Sequence, residues 1–184
     1  KIGEGSLYLP AGQRGRLALS AAMPDFSLER SCKQGPVAGI DEAGRGPWAG
    51  PVVAAAVILN EKTLPRDIAA RLDDSKIVPQ AVRGELFGLL PLYALIGVGH
   101  ATVQEIDSHN ILQATFLAMA RAVQRLPVAP AIALVDGNRA PALPCAVRPV
   151  VRGDGLSLSI AAASIVAKVT RDRIMADLAR QHPG

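Results

Sequence analysis

The sequence predicts a mixed-sheet α/β domain. Three strand-like apolar runs lie in the first part of the chain, and a helix, two more strands and a long helix follow. The hairpin-like start implies antiparallel pairing, and the helix ahead of the fourth strand implies a crossover to a parallel one. The 184 residues, 49% of them hydrophobic, suffice for one real core and fall short of two comfortable ones.

Taken in order, residues 1–34 are punctuated by Gly3, Gly5, Pro10, Gly12 and Gly15 and keep no clean period, so they are expected to form a poorly ordered extension. The domain proper is expected over 35–184. Val37 to Asp41 is a short apolar run ending in acid, the pattern of a buried strand. Gly44 to Pro51 is a loop dense in glycine and proline, and Val52 to Leu59 is a second strand. Pro79 to Leu90 is predicted helical, with proline at its start where a missing N–H costs nothing. Tyr93 to Val103 is a third strand, weakened by Gly97 and Gly99. Ile111 to Leu126 carries Ile111, Leu112, Thr115, Phe116, Met119, Val123 and Leu126 at helical spacing. Ala131 to Val135 and Ala146 to Val151 are the fourth and fifth strands, and Ser159 to Arg180 is a long helix.

Composition narrows the chemistry. The net charge of +4 permits a polyanionic partner without requiring one. Two cysteines, Cys32 and Cys145, form no metal-ligand pattern and are expected to be reduced, in a cytoplasmic protein. With three histidines in all, a metal would be held mainly by oxygen. The longest apolar run, Val52 to Leu59, is too short to span a bilayer, so no membrane association is expected.

The informative acids follow strands. Asp41 and Glu42 come directly after Val37–Ile40, and Asp136 directly after Ile132–Val135. An ionised acid at the end of a buried strand needs a partner, and acids from neighbouring strands repel unless cations lie between them. Such a cluster without histidine suits Mg²⁺ or Mn²⁺. Spacing alone leaves other readings open: Asp136-Gly137 and Asp154-Gly155 are also turn signals, Asp107 is a candidate cap, and Asp73-Asp74 fit a solvated loop. Asp41-Glu42 is the best single candidate. The glycine-rich loop that follows could bring backbone close to a sugar or phosphate, or could be a tight strand connection. A nucleotide-cradling loop fits poorly, because a strand rather than a helix follows it.

Gly39-Ile40-Asp41-Glu42-Ala43-Gly44-Arg45-Gly46-Pro47, with Gly50-Pro51, resembles the opening signature of bacterial type 2 ribonucleases H. Asp74-Ser75-Lys76, Ile106-Asp107 to Asn110-Ile111, Val135-Asp136-Gly137-Asn138, Arg152-Gly153-Asp154 and Ile160 to Asp172 are similar to later family segments, in the family's order. The resemblance covers about residues 36–184. It implies the ribonuclease H-like fold, a five-stranded mixed sheet flanked by helices. It also implies four active-site acids: Asp41, Glu42, Asp136 and Asp154. Spacing does not separate Asp154 from Asp172; the family motif favours Asp154.

The implied activity is endonucleolytic hydrolysis of RNA paired to DNA, and nicking 5′ of single ribonucleotides in duplex DNA, as in ribonucleotide excision during replication and repair. Two Mg²⁺ or Mn²⁺ ions, roughly 4 Å apart, would activate water and stabilise the leaving 3′-oxygen, with Asp41 bridging them. The products would carry 5′-phosphate and 3′-hydroxyl. Backbone groups of Gly44, Arg45 and Gly46 would sense the ribose 2′-OH, with little base preference. Ser75, Lys76, Asn138, Ser164 and Lys168 are candidate phosphate contacts, although Lys168 could equally pair with Asp172. Trp48 is expected to pack. Family members continue into a segment bearing a tyrosine, whereas the tyrosines here are Tyr8 and Tyr93, so that segment is expected to be missing from this chain. A monomer is expected. The competing expectations are another nuclease of the same fold and a non-catalytic hybrid-binding module.

Overall fold

A computed structural model describes residues 23–46, 49–139 and 141–182. Five strands form one sheet: β1 (Val37–Ala43), β2 (Val52–Leu59), β3 (Ala94–Ala101), β4 (Ile132–Asp136) and β5 (Ala146–Val150), in the order β3-β2-β1-β4-β5. β1, β2 and β3 form an antiparallel meander, whereas β4 runs parallel to β1 and β5 parallel to β4. The helices are α1 (Ser27–Ser31), α2 (Arg66–Ala69), α3 (Gln80–Leu89), α4 (Val103–Gln124) and α5 (Leu158–Gln181).

Strand alternation sorts the two faces of the sheet. Ala38, Ile40, Ala133 and Val135 join the apolar layer beneath α4, and Leu134 packs with Ile160 of α5 on the other side. The first half of α5 is buried almost all round, from Leu158 to Ala167, which explains its alanine richness: a helix pressed onto a sheet has room only for small side chains. Gly39 makes the contact possible. A Cβ there would stand 2.1 Å from the backbone carbonyl carbon of Ser159. Gly97 and Gly99 of β3 play the same part toward α4, so the glycines that weaken this strand in the sequence are where the helix backbone comes closest.

Several boundaries differ from expectation. β1 extends to Ala43, because Asp41 and Glu42 still pair with Ala55 and Ala54 of β2. β3 ends at Ala101, where Thr102 opens α4 in a capping box: its hydroxyl accepts from the Glu105 N–H while the Glu105 carboxylate accepts from the Thr102 N–H. α4 therefore starts at Val103 rather than Ile111. It is broken at Asn110 (φ 69°, ψ 162°), whose side chain accepts from Leu112 and Gln113 and caps the second half. Asp107 is not the cap.

Asp25, Phe26 and Glu29, which fall within the expected extension 1–34, are held against the sheet domain. Phe26 is buried in the core, Asp25 bridges to Ser157, and Glu29 accepts from the Ser157 hydroxyl and the Ser159 N–H at the start of α5. An aromatic with a place in the core and a carboxylate facing a helix's free N–H groups hold this stretch down. Residues 1–22 and Trp48 lie outside the described residues.

Candidate active site

The parallel register of β1 and β4 decides the position of two acids. Ile40 pairs with Val135, so the next residue on each strand is an aspartate, Asp41 beside Asp136. Both project toward α5. Asp154 comes from a different device. Arg152 adopts a left-handed conformation (φ 55°) after β5 and throws the chain into a 3-10 turn, Gly153–Gly155. The buried Gly153 N–H donates to Asp136 Oδ1 at 2.7 Å, tying the turn to the end of β4. One carboxylate oxygen from each of Asp41, Asp136 and Asp154 then lies within 4.8 Å of the others.

The electrostatics are those of an under-neutralised cage. Burial, with the charges of Glu42 and Asp136 beside it, pushes the Asp41 carboxyl well above the usual range. Burial raises Asp154 too, with Asp136 and Asp74 adding repulsion and Lys76 opposing it. Glu42 is raised chiefly by burial. Alternation turns Glu42 away from the face that Asp41 occupies, so it flanks the trio rather than joining it. Its Oε1 accepts from Arg45 at 3.1 Å, while its Oε2 is buried without a hydrogen-bond partner. Three converging carboxylates, an orphaned fourth and no histidine fit hard divalent cations.

Comparison with known proteins agrees. The family model for ribonuclease HII matches residues 38–184. The chain belongs to the ribonuclease HII family. It is 63% identical over 161 residues to the ribonuclease HII of Paramagnetospirillum magneticum, covering 88% of this chain and 80% of that protein. Against the Granulibacter bethesdensis ribonuclease HII it is 56% identical over 177 residues, 95% of this chain and 78% of that one. Among solved structures, ribonuclease H2 from Pyrococcus horikoshii superposes with a TM-score of 0.68 at 32% identity, covering 78% of this chain and 75% of that one. Bst-RNase HIII superposes at 0.66 with 20% identity, covering 80% and 55%, a likeness of fold alone. The sheet is thus that of the ribonuclease H-like fold, and membership of the ribonuclease HII family makes the chain a metal-binding ribonuclease H.

The remaining candidate residues fall into two groups around the clustered acids. Gly44, Arg45 and Gly46 leave β1 directly beside Asp41 and Glu42, with Arg45 and Gly46 exposed. Gly44 has φ +109°, and a Cβ there would meet Arg171 Nε at 2.5 Å and the Pro51 carbonyl oxygen at 2.7 Å, so only glycine fits. Asn138 is exposed and, with Arg45, Phe116, Asp136 and Arg139, lines a cleft of about 370 Å³. Lys76 is exposed.

Ser75 and Ser164 are both buried. The Ser164 hydroxyl donates to Ser75 Oγ at 2.9 Å and also lies against Asp41, so these serines join the Asp74-Ser75-Lys76 segment to α5 and the cage instead of facing solvent. Lys168 pairs with Asp172 at 2.7 Å on the half-buried flank of α5. Asp74, which the sequence suggests is merely solvated, lies close enough to Asp154 to raise its pKa. Arg83 donates to the carbonyls of Ser75 and Val78, fixing the segment that carries Asp74 and Lys76. Among the described residues no helix is long and apolar enough to cross a membrane.

Proposed function

We propose that this ribonuclease HII hydrolyses the RNA strand of RNA/DNA hybrids and nicks duplex DNA on the 5′ side of single embedded ribonucleotides, leaving 5′-phosphate and 3′-hydroxyl ends. The observation that carries the reading is the convergence of Asp41, Asp136 and Asp154 within 4.8 Å, with the orphaned Glu42 beside them. These four acids, of which Asp41 is the most deeply buried, would hold two Mg²⁺ or Mn²⁺ ions. When bound, the ions supply water activation and stabilisation of the departing 3′-oxygen.

The chain's own groups do the rest. Gly153 holds the Asp136 carboxylate in place through its N–H, and Ser164 steadies Asp41. Arg45 neutralises one oxygen of Glu42, leaving the other for a cation. The backbone of Gly44, Arg45 and Gly46 reads the ribose 2′-OH, a contact indifferent to base identity. Arg45, Asn138 and Arg139 along the cleft, and Lys76 on the other side, contact the phosphates of the flanking nucleic acid. The catalytic domain, on this reading, begins near Asp25 rather than at residue 35, and the chain acts as a monomer.

The test is a nicking assay on duplex DNA containing one ribonucleotide. Cleavage 5′ of that nucleotide in Mg²⁺ or Mn²⁺, none in EDTA, and none on the all-DNA duplex are expected. Asp136→Asn should abolish cleavage while retaining hybrid binding. Equal cutting of all-DNA, or undiminished turnover by that variant, would overturn the proposal.

A further inference from the structure

Arg171 is a buried cation that the four acids and the glycine segment leave unexplained. Its residue surface is only 7% exposed, and it forms no ion pair with a carboxylate among the described residues. The neighbouring Asp172 is engaged by Lys168. Arg171 instead points its guanidinium at backbone. Nε donates to the Pro51 carbonyl at 3.1 Å and Nη2 to the Ala49 carbonyl at 2.8 Å. Its Nε also sits 2.5 Å from where a Gly44 Cβ would be. One side chain therefore touches both ends of the chain path between β1 and β2. Met175, four residues further along α5, fills the space beside Gly50, where a Cβ would be 2.3 Å from its sulfur.

Burying a guanidinium without a counter-charge costs several kcal/mol, and an apolar side chain of similar volume generally stabilises a core as well or better. Stability alone is thus a poor reason for arginine here. Geometry supplies a better one. The planar guanidinium donates in two fixed directions, which a lysine ammonium does not. Two carbonyls held by one rigid fork are fixed relative to each other, and to α5. α5 also holds Asp41 through Ser164, seven residues before Arg171 on the same helix. The clamp therefore fixes the glycine segment and the acid cage in one frame.

We propose that Arg171 is a positioning residue that sets the backbone of Gly44, Arg45 and Gly46 for discrimination of ribose from deoxyribose. The proposal rests on the reading that this backbone senses the 2′-OH. Loosening the clamp impairs sugar discrimination more than general affinity for duplex, since Arg171 is buried away from phosphates.

The experiment measures equilibrium binding of the full chain, with Ca²⁺ replacing Mg²⁺, to a duplex DNA carrying one ribonucleotide and to the same duplex without it. For Arg171→Gln the ratio of the two affinities should fall by about tenfold or more, a loss of about 1.4 kcal/mol in discrimination. Affinity for the all-DNA duplex should change less than about twofold on the same scale. Arg171→Lys, whose ammonium keeps the charge but lacks the fixed planar fork, should fall between. An unchanged ratio in Arg171→Gln would overturn the proposal, even if its melting temperature dropped. Should the glutamine variant fail to fold, Arg171→Lys decides, and a wild-type ratio there overturns it. If the unmodified chain itself shows no preference for the ribonucleotide, the sugar-sensing reading fails, and the role of Arg171 falls with it.

Discussion

Replacing Gly39 by alanine puts a methyl group into the closest contact between sheet and helix. The new Cβ would lie 2.1 Å from the Ser159 carbonyl carbon, 2.3 Å from the Ile160 nitrogen and 2.4 Å from the Ser159 oxygen. All three are backbone atoms, so no side chain can rotate aside. To reach ordinary contact at 3.4 Å, α5 must retreat from β1 by 1.3 Å. Overpacking of this kind costs about 3 kcal/mol, the upper part of its usual range. In a chain of this size that lowers the melting temperature by roughly 6–12 °C.

The functional cost follows from where the strain falls. Asp41 is two residues beyond Gly39 on the same strand face, about 7 Å along β1. Ser164 lies five residues beyond Ser159, about 7.5 Å along α5. The contact that sets the helix is therefore adjacent to the one that steadies Asp41. A misplacement of about 1 Å in a catalytic constellation costs on the order of a hundredfold in rate. The control is Gly97→Ala, whose Cβ would stand 2.1 Å from the Ala122 carbonyl oxygen of α4. It overpacks the opposite face to the same degree but disturbs none of the clustered acids. Thermal unfolding and single-turnover nicking of both variants check the reasoning. Similar destabilisation is expected, with the rate lost in Gly39→Ala and kept within a few fold in Gly97→Ala. Equal rate losses would show that the closeness of α5 to β1 does not set the cage.

Other outcomes follow from the same geometry. Asp41, Glu42 and Asp154 all have folded-state pKa values raised above those of the unfolded chain. The stability they allow is complete at acidic pH below the ordinary carboxylate range and is lost as pH rises through their folded-state values. The cation-free protein should therefore melt higher near pH 5 than near pH 8, and Asp41→Asn should flatten that slope. An Asp41→Asn variant with an undiminished slope would refute this. Below pH 4 the sign reverses at Glu105, which Arg121 and the Thr102 N–H hold down to about 2, so stability from that cap is lost as pH falls toward 2. At Asn110 the backbone lies at a φ/ψ that favours glycine while the side chain caps two N–H groups. Asn110→Gly should cost a few tenths of a kcal/mol and Asn110→Ala about 2 kcal/mol in urea unfolding. Equal costs would mean that the cap, not the conformation, sets the choice of residue.

Where a residue's role is local, it is visible in the sequence. The run Val37–Ile40 before Asp41 and the run Ile132–Val135 before Asp136 announce buried strands that deliver acids, and the parallel register places those acids together. Thr102 and Glu105 form a capping-box signature that marks the true start of α4, although apolar Val103 makes the strand look longer. Asp154 is different. Its position depends on the left-handed Arg152 and on the Gly153 N–H reaching Asp136, and nothing in its spacing separates it from Asp172; only the family motif does. Asp74 and Arg171 are harder still. Asp74 matters because its segment folds back toward Asp154, and Arg171 because it meets carbonyls about 120 residues earlier. Carbonyl acceptors leave no mark in a sequence, since every residue has one. The short α1 is likewise invisible, because five residues carry too few turns to show a period.

The central claim is that Asp41, Asp136 and Asp154 bind divalent cations together, and calorimetric titration of the free protein with Mn²⁺ tests it most directly. The unaltered chain should bind Mn²⁺ saturably. Asp136→Asn should weaken that binding by more than the roughly 10–100-fold typical of losing a group that merely supports a ligand. Equal Mn²⁺ affinity in the two proteins would contradict it.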